Sequence, residues 1–134
     1  MELLAQYQIS ILVVGLTGLM FFVQLLVADV ASIKKGHIPG TIIEQSHDNF
    51  LFRSSRVFAN SNETVGIFIL FLMFAFLSSS DSSWVNISSA VYFIGRLGHM
   101  FFYYANLKAL RSVAFGVSLL GLVSIFISGL VRWF

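Results

Sequence analysis

"ISILVVGLTGLMFFVQLLVADVA", residues 9–31, is interrupted only by Gln24 and Asp29. About 20 apolar residues suffice for a helix to cross the hydrocarbon core of a bilayer, so this stretch reads as a transmembrane helix. The preceding "MELLAQYQ" has no positive charge and no small-residue cleavage site, which argues against a removable signal peptide. The rest of the chain repeats the pattern. Further apolar runs lie at about 56–77, 85–107 and 112–132, with the first extending over about 9–33. The charged fraction is 10% and the hydrophobic fraction 57% over 134 residues. Soluble domains carry about 25% charged residues, so the apolar surplus here belongs against lipid. The expectation is an all-α, integral membrane four-helix bundle forming a single domain over 1–134.

Charge placement orients the spans. Lys34, Lys35, Arg53 and Arg56 flank the first loop, and Lys108 and Arg111 flank the third; the other side has Glu2, Asp81 and Arg132. Basic residues concentrate on cytoplasmic loops, so the first and third loops are expected inside and both termini on the non-cytoplasmic side. Trp84 and Trp133 then share the outer interface, where tryptophan is favoured. The absence of cysteine excludes disulfides, thiolate metal sites and a protein-borne thiol nucleophile. In the first loop His37, Glu44, His47 and Asp48 match no compact metal-ligand spacing, so no metal site is expected and they read as solvated loop residues.

The polar residues inside the spans are ordered. With 100° per residue, Arg56, Asn60 and Glu63 share an arc of about 60° on the second helix, and Tyr92, Arg96, His99 and Tyr103 share a similar arc on the third. Glu63 and Arg96 are equidistant from a point between Ser79 and Ser80, as are Asn60 and His99, and Arg56 and Tyr103. Facing stripes would therefore stack three polar layers. A structural Glu63–Arg96 pair that merely fixes helix register is the alternative reading. Against it stand four arginines, Arg53, Arg56, Arg96 and Arg111, around a single Glu63. Unpaired buried charge is costly, and such a surplus suits an anionic ligand. Arginine forks match carboxylates, one carboxylate matches an ammonium, and Asn and Tyr groups match amides. Glutathione has this inventory and brings a thiol; an arginine near its sulfur would favour the reactive thiolate.

"RVFANSNETVGIF" (56–68) and "GRLGHMFFYYANLKALRS" (95–112) resemble the R-x3-N-x2-E stretch and the R-x2-H/Y-x3-Y stretch, followed by Arg-Ser, of the membrane-associated proteins in eicosanoid and glutathione metabolism, or MAPEG family. Members include microsomal glutathione transferases, leukotriene C synthases and microsomal prostaglandin E synthases. The resemblance covers nearly the whole chain. It implies a homotrimer with glutathione bound between neighbouring subunits. It also implies glutathione-binding roles for Arg56, Asn60, Glu63, Arg96, His99 and Tyr103; Arg53 joins them through the cationic surplus. Arg111 matches the arginine that stabilises the thiolate, and Ser112 a serine given that task in the prostaglandin branch. Departures are Ala59 and Phe115, where that branch has an arginine and a tyrosine, and Ala31, near the place of an arginine in eicosanoid-active members. His99 follows the prostaglandin branch, where the leukotriene branch has tyrosine. These losses weigh against eicosanoid chemistry more than against glutathione binding.

The expectation that results is a multi-pass membrane glutathione transferase, or a glutathione-dependent peroxidase on the same site, acting on a lipophilic small molecule in a bacterial inner membrane. The alternative is a non-enzymatic protein of the same fold that binds another thiol or a small anionic metabolite. A small multidrug exporter is disfavoured because Asp29 lies near the end of the first span, not deep within it.

Overall fold

Each helix boundary has a local cause. The computed structural model describes residues 2–134, Leu3 by its backbone alone. A short helix α1 (Glu2–Gln6) is separated from α2 (Gln8–Lys35) by Tyr7, whose backbone leaves helical geometry. Gly36 ends α2 with φ of 62°, a left-handed cap that glycine adopts without steric cost, while Lys34 and Lys35 complement the helix dipole in the last turn. Asn49 starts α3 (Phe50–Leu77) by accepting a hydrogen bond from the Leu51 amide. Asp81 starts α4 (Ser82–Tyr104) in the same way, accepting from the Trp84 amide at 2.8 Å. Then α5 (Lys108–Leu130) runs into a closing 3₁₀ turn, Val131–Trp133.

The helices start earlier than apolarity alone foretells. α3 begins at Phe50 instead of about 56, α4 at Ser82 instead of about 85, and α5 at Lys108 instead of about 112. Side-chain caps set the starts of α3 and α4, while α5 starts without one, and Arg53 lies inside α3 with Arg56. α4 also stops at Tyr104, because Asn106 takes a left-handed φ of 59°.

Three stretches are long and apolar enough to cross a membrane: Gln8–Lys35, Phe50–Leu77 and Lys108–Trp133. The expected span on α4 does not reach that standard of apolarity. Its polar residues are turned inward: Ser88, Ser89, Arg96 and His99 are all buried, while Trp84, Ile87, Ile94 and Phe101 are exposed. At 1.5 Å per residue, its 23 residues still extend about 35 Å. All regular structure among the described residues is helical, as expected, and these residues form five α-helices, not four, because of α1.

α3 packs against α2, α4 and α5, and α2 also touches α4. The tightest contact is α4 on α5, made by two glycines. A Cβ on Gly121 would fall 2.6 Å from the Tyr92 amide nitrogen, and one on Gly95 would fall 2.5 Å from that of Ser118. Phe68 and Tyr92 stack at 4.3 Å within a core completed by Val13, Leu72, Val85 and Ile125. At the end bearing the α3–α4 turn, Tyr7 donates to the Ser80 carbonyl and Asn86 joins Ser10 to Gln6. Trp133 donates to Ser78 and Trp84 to Ser124, so the two tryptophans lie at one end.

Gly121→Ala should lower the apparent thermal midpoint of the detergent-purified protein, since overpacking costs about 1–3 kcal/mol. Gly116→Ala, where the added carbon meets nothing within 4 Å, should leave the midpoint unchanged or raise it. Equal effects in a thermal melt would contradict the close α4–α5 contact.

Candidate functional site

Among the described residues Arg96 is the most deeply buried charge, 1% exposed near the middle of α4. Its guanidinium donates from Nη1 to Asn60 Oδ1 at 2.8 Å and from Nη2 to Ser61 Oγ at 2.9 Å. Both partners come from α3. Ser61 lies on the buried face of that helix, where Ser54, Val57, Thr64 and Phe68 also point inward. The α5 residue Phe115 lies beneath the guanidinium, its ring centroid 5.8 Å from Cζ. A buried ionised group needs this kind of support.

Glu63 does not pair with Arg96 in this arrangement. It is exposed and accepts from Asn60 Nδ2 at 3.3 Å, so Asn60 bridges the carboxylate and the guanidinium. The expected mirror register is therefore displaced by about one turn: Arg96 meets Asn60 and Ser61, and Tyr92 approaches Thr64 at 3.5 Å. The displacement has a geometric origin. The helix ends, Leu77 and Ser82, are equidistant from the same midpoint, so the offset lies in how the two helices are set against each other across the turn, in which Ser79 takes a φ of 51°. Arg56 is exposed as well. One stripe is thus divided, with Asn60 reaching inward and Arg56 and Glu63 facing out, whereas all of the α4 stripe is buried.

From Arg96 the cluster continues toward the α2–α3 loop. His99 is 4% exposed, between the rings of Phe115 at 5.8 Å and Tyr103 at 5.3 Å. Arg111, from the first turn of α5, lies over the Tyr103 ring with Cζ 4.3 Å from the centroid. That geometry is a cation–π contact. The Tyr103 hydroxyl lies 3.3 Å from His47 Nε2, and Arg53 donates to the His47 carbonyl. Ser112 is separate: it is exposed and donates to the Lys108 carbonyl of its own helix.

Four nitrogens of this cluster are buried without a hydrogen-bond partner: Arg53 Nε, Arg96 Nε, His99 Nδ1 and Arg111 Nη1. Buried donors are rarely left unpaired, and three of these belong to guanidiniums. The arrangement is chemically suited to an anion with several acceptor oxygens. Grooves of about 300–370 Å³ on the helix flanks are apolar by contrast. One is lined by Leu26, Val27, Val30, Ala31, Lys34 and Phe50, the last carrying Arg53 over its ring at 5.4 Å.

Sequence reasoning missed Ser61, Phe115 as a guanidinium support, and His47. The inward face of α3 was the signal for Ser61. No spacing rule could have found His47, whose contacts depend on how the loop folds back. No group of three or more His, Asp or Glu that could hold a metal ion exists among the described residues.

A family model described as the MAPEG family matches residues 9–131. Comparison with curated proteins finds no match.

Arg96→Met and Asn60→Leu should be coupled. Each alone should destabilise the protein, and together they should cost less than their sum by about 1.5–3 kcal/mol, the range for a hydrogen bond to a charged group. Additive effects in an unfolding cycle would show that the pair makes no such bond.

Proposed function

This chain belongs to the MAPEG family, and from that premise we propose that it is a membrane glutathione transferase acting on a lipophilic electrophile. The observation that carries the reading is the set of unpartnered nitrogens on Arg53, Arg96, His99 and Arg111, which runs from the Asn60 contact of Arg96 toward the α2–α3 loop. The guanidiniums would take the two carboxylates of glutathione, and Glu63 its ammonium. Asn60 would serve the peptide amides. Glutathione supplies the thiol that a chain without cysteine lacks. Arg111, held over Tyr103, would favour the thiolate by opposite charge. The other residues position, and positioning with charge stabilisation are the main catalytic terms such a site offers. The same thiolate would serve a peroxidase reaction. Arg111 is the better candidate than Ser112 for the catalytic role, because the Ser112 hydroxyl is engaged with its own helix.

Exposure of Arg56 and Glu63 beside a buried Arg96 supports a homotrimer in which a neighbouring copy covers the open side of the pocket. The inverted polarity of α4 supports four membrane crossings, with α4 screened from lipid by its own apolar stripe. Lys34, Lys35, Arg53, Lys108 and Arg111 all lie at the end opposite the α3–α4 turn, which supports a cytoplasmic placement of that end. The apolar groove beside Phe50 would admit the electrophile from the membrane.

Glutathione should bind saturably to the purified protein by calorimetry. Arg111→Ala and Glu63→Gln should each weaken binding by about 10-fold or more, the loss of one charge-assisted hydrogen bond. Arg111→Ala should also abolish thiolate ultraviolet absorbance at neutral pH. Normal binding by both variants would refute the site. Absence of any glutathione binding, with anion binding retained, would favour the non-enzymatic alternative.

A further inference from the structure

The α2–α3 loop, Gly36–Asn49, is mostly exposed; Ile38 and Ile42 are 69% and 90% accessible. Its own hydrogen bonds are local, such as Thr41 to Ile38 and Ser46 to Glu44. Among the described residues, one side-chain hydrogen bond ties it to α4: His47 Nε2 to the Tyr103 hydroxyl at 3.3 Å. The imidazole also packs edge-on against Phe52 at 5.1 Å and lies at 6.0 Å from the Tyr103 ring. Arg53 fixes the backbone behind it by donating to the His47 carbonyl. Tyr103 in turn carries Arg111 over its ring, the residue proposed to face the thiolate.

We propose that His47 is a positioning residue, a latch that pins the α2–α3 loop onto Tyr103 and so holds that ring beneath Arg111, and that the latch opens when the imidazole is protonated. This rests on the glutathione reading only for its catalytic consequence. The charges facing His47 explain its pH dependence. Arg53 comes from α3, Lys108 and Arg111 from α5, and Asp48 from the loop itself; α4 contributes the neutral Tyr103. Partial removal of water lowers the His47 pKa first, the fields of Arg111, Lys108 and Arg53 lower it further, and Asp48 opposes them. The docked imidazole therefore binds a proton less readily than a free one, whose pKa is about 6.5. Docking is at full strength above that value, weakens as pH falls below it, and stops weakening once the docked form is itself protonated. A fourth positive charge among three is what drives the loop away.

The test is hydrogen exchange of the peptide covering residues 44–53 in the full-length, detergent-purified protein without glutathione, corrected for the intrinsic pH dependence of exchange. Between about pH 7.5 and about pH 5.5, which bracket the ordinary histidine value, wild type should open several-fold more often. His47→Gln, which keeps a hydrogen-bonding side chain but cannot titrate, should stay protected at both. His47→Ala and Tyr103→Phe should both open the loop at the higher pH, and the double variant should open it no further. In a second arm, His47→Ala should weaken glutathione binding several-fold and His47→Gln should not. Wild-type protection in His47→Ala, or a wild-type pH response in His47→Gln, overturns the latch whatever glutathione does. The predicted exchange pattern with no glutathione binding to any form leaves the latch standing and overturns the glutathione reading alone.

Discussion

A guanidinium closed inside a chain that is otherwise built for lipid constrains everything near it. Arg96 is held by Asn60 and Ser61, both on α3, and supported from below by Phe115 of α5. Buried charge without partners costs several kcal/mol, so α3 and α4 favour the relative register that pairs both terminal nitrogens of Arg96. A slip of one residue along either helix would remove Ser61 or Asn60 from reach. That register in turn sets Tyr92 over Phe68, and carries His99 and Tyr103 down toward the α2–α3 loop.

α4 pays for this constraint in apolarity, and the fold compensates by wrapping it. Its polar stripe is enclosed by α2, α3 and α5, and the α5 wall is brought close because Gly95 and Gly121 leave no side chain between the two backbones. The outward stripe of Ile87, Ile94 and Phe101 then presents the apolar surface that the helix composition hides. The charged groups divide accordingly. Arg96 and His99 are buried, Arg53 and Arg111 are half-buried at the loop end, and Arg56 and Glu63 remain on the surface.

Much of this was legible in the sequence. An apolar run such as 9–31 has one physical explanation, and helical spacing alone put Tyr92, Arg96, His99 and Tyr103 on one face. Periodicity cannot report what a side chain meets on the neighbouring helix. Mirror symmetry about the serine turn therefore pairs Arg96 with Glu63, where the packed helices pair it with Asn60. Helix starts were missed because caps such as Asn49 act through single hydrogen bonds that leave no trace in hydropathy. His47 looked like an ordinary loop residue for a similar reason: its partner Tyr103 is 56 positions away and is reached only after the loop folds back.

Arg96 is the fixed point of the helix packing and keeps an unpartnered Nε, the donor we propose that glutathione meets. The most direct measurement is the side-chain ¹⁵N–¹H spectrum of the arginine Nε groups in labelled protein, assigned by single Arg→Lys substitutions and titrated with glutathione. The Arg96 resonance should exchange slowly and shift saturably, together with those of Arg53 and Arg111, while Arg132 at the far end does not move. An Arg96 signal unaffected by saturating glutathione, or one exchanging with water as fast as that of Arg132, would contradict it.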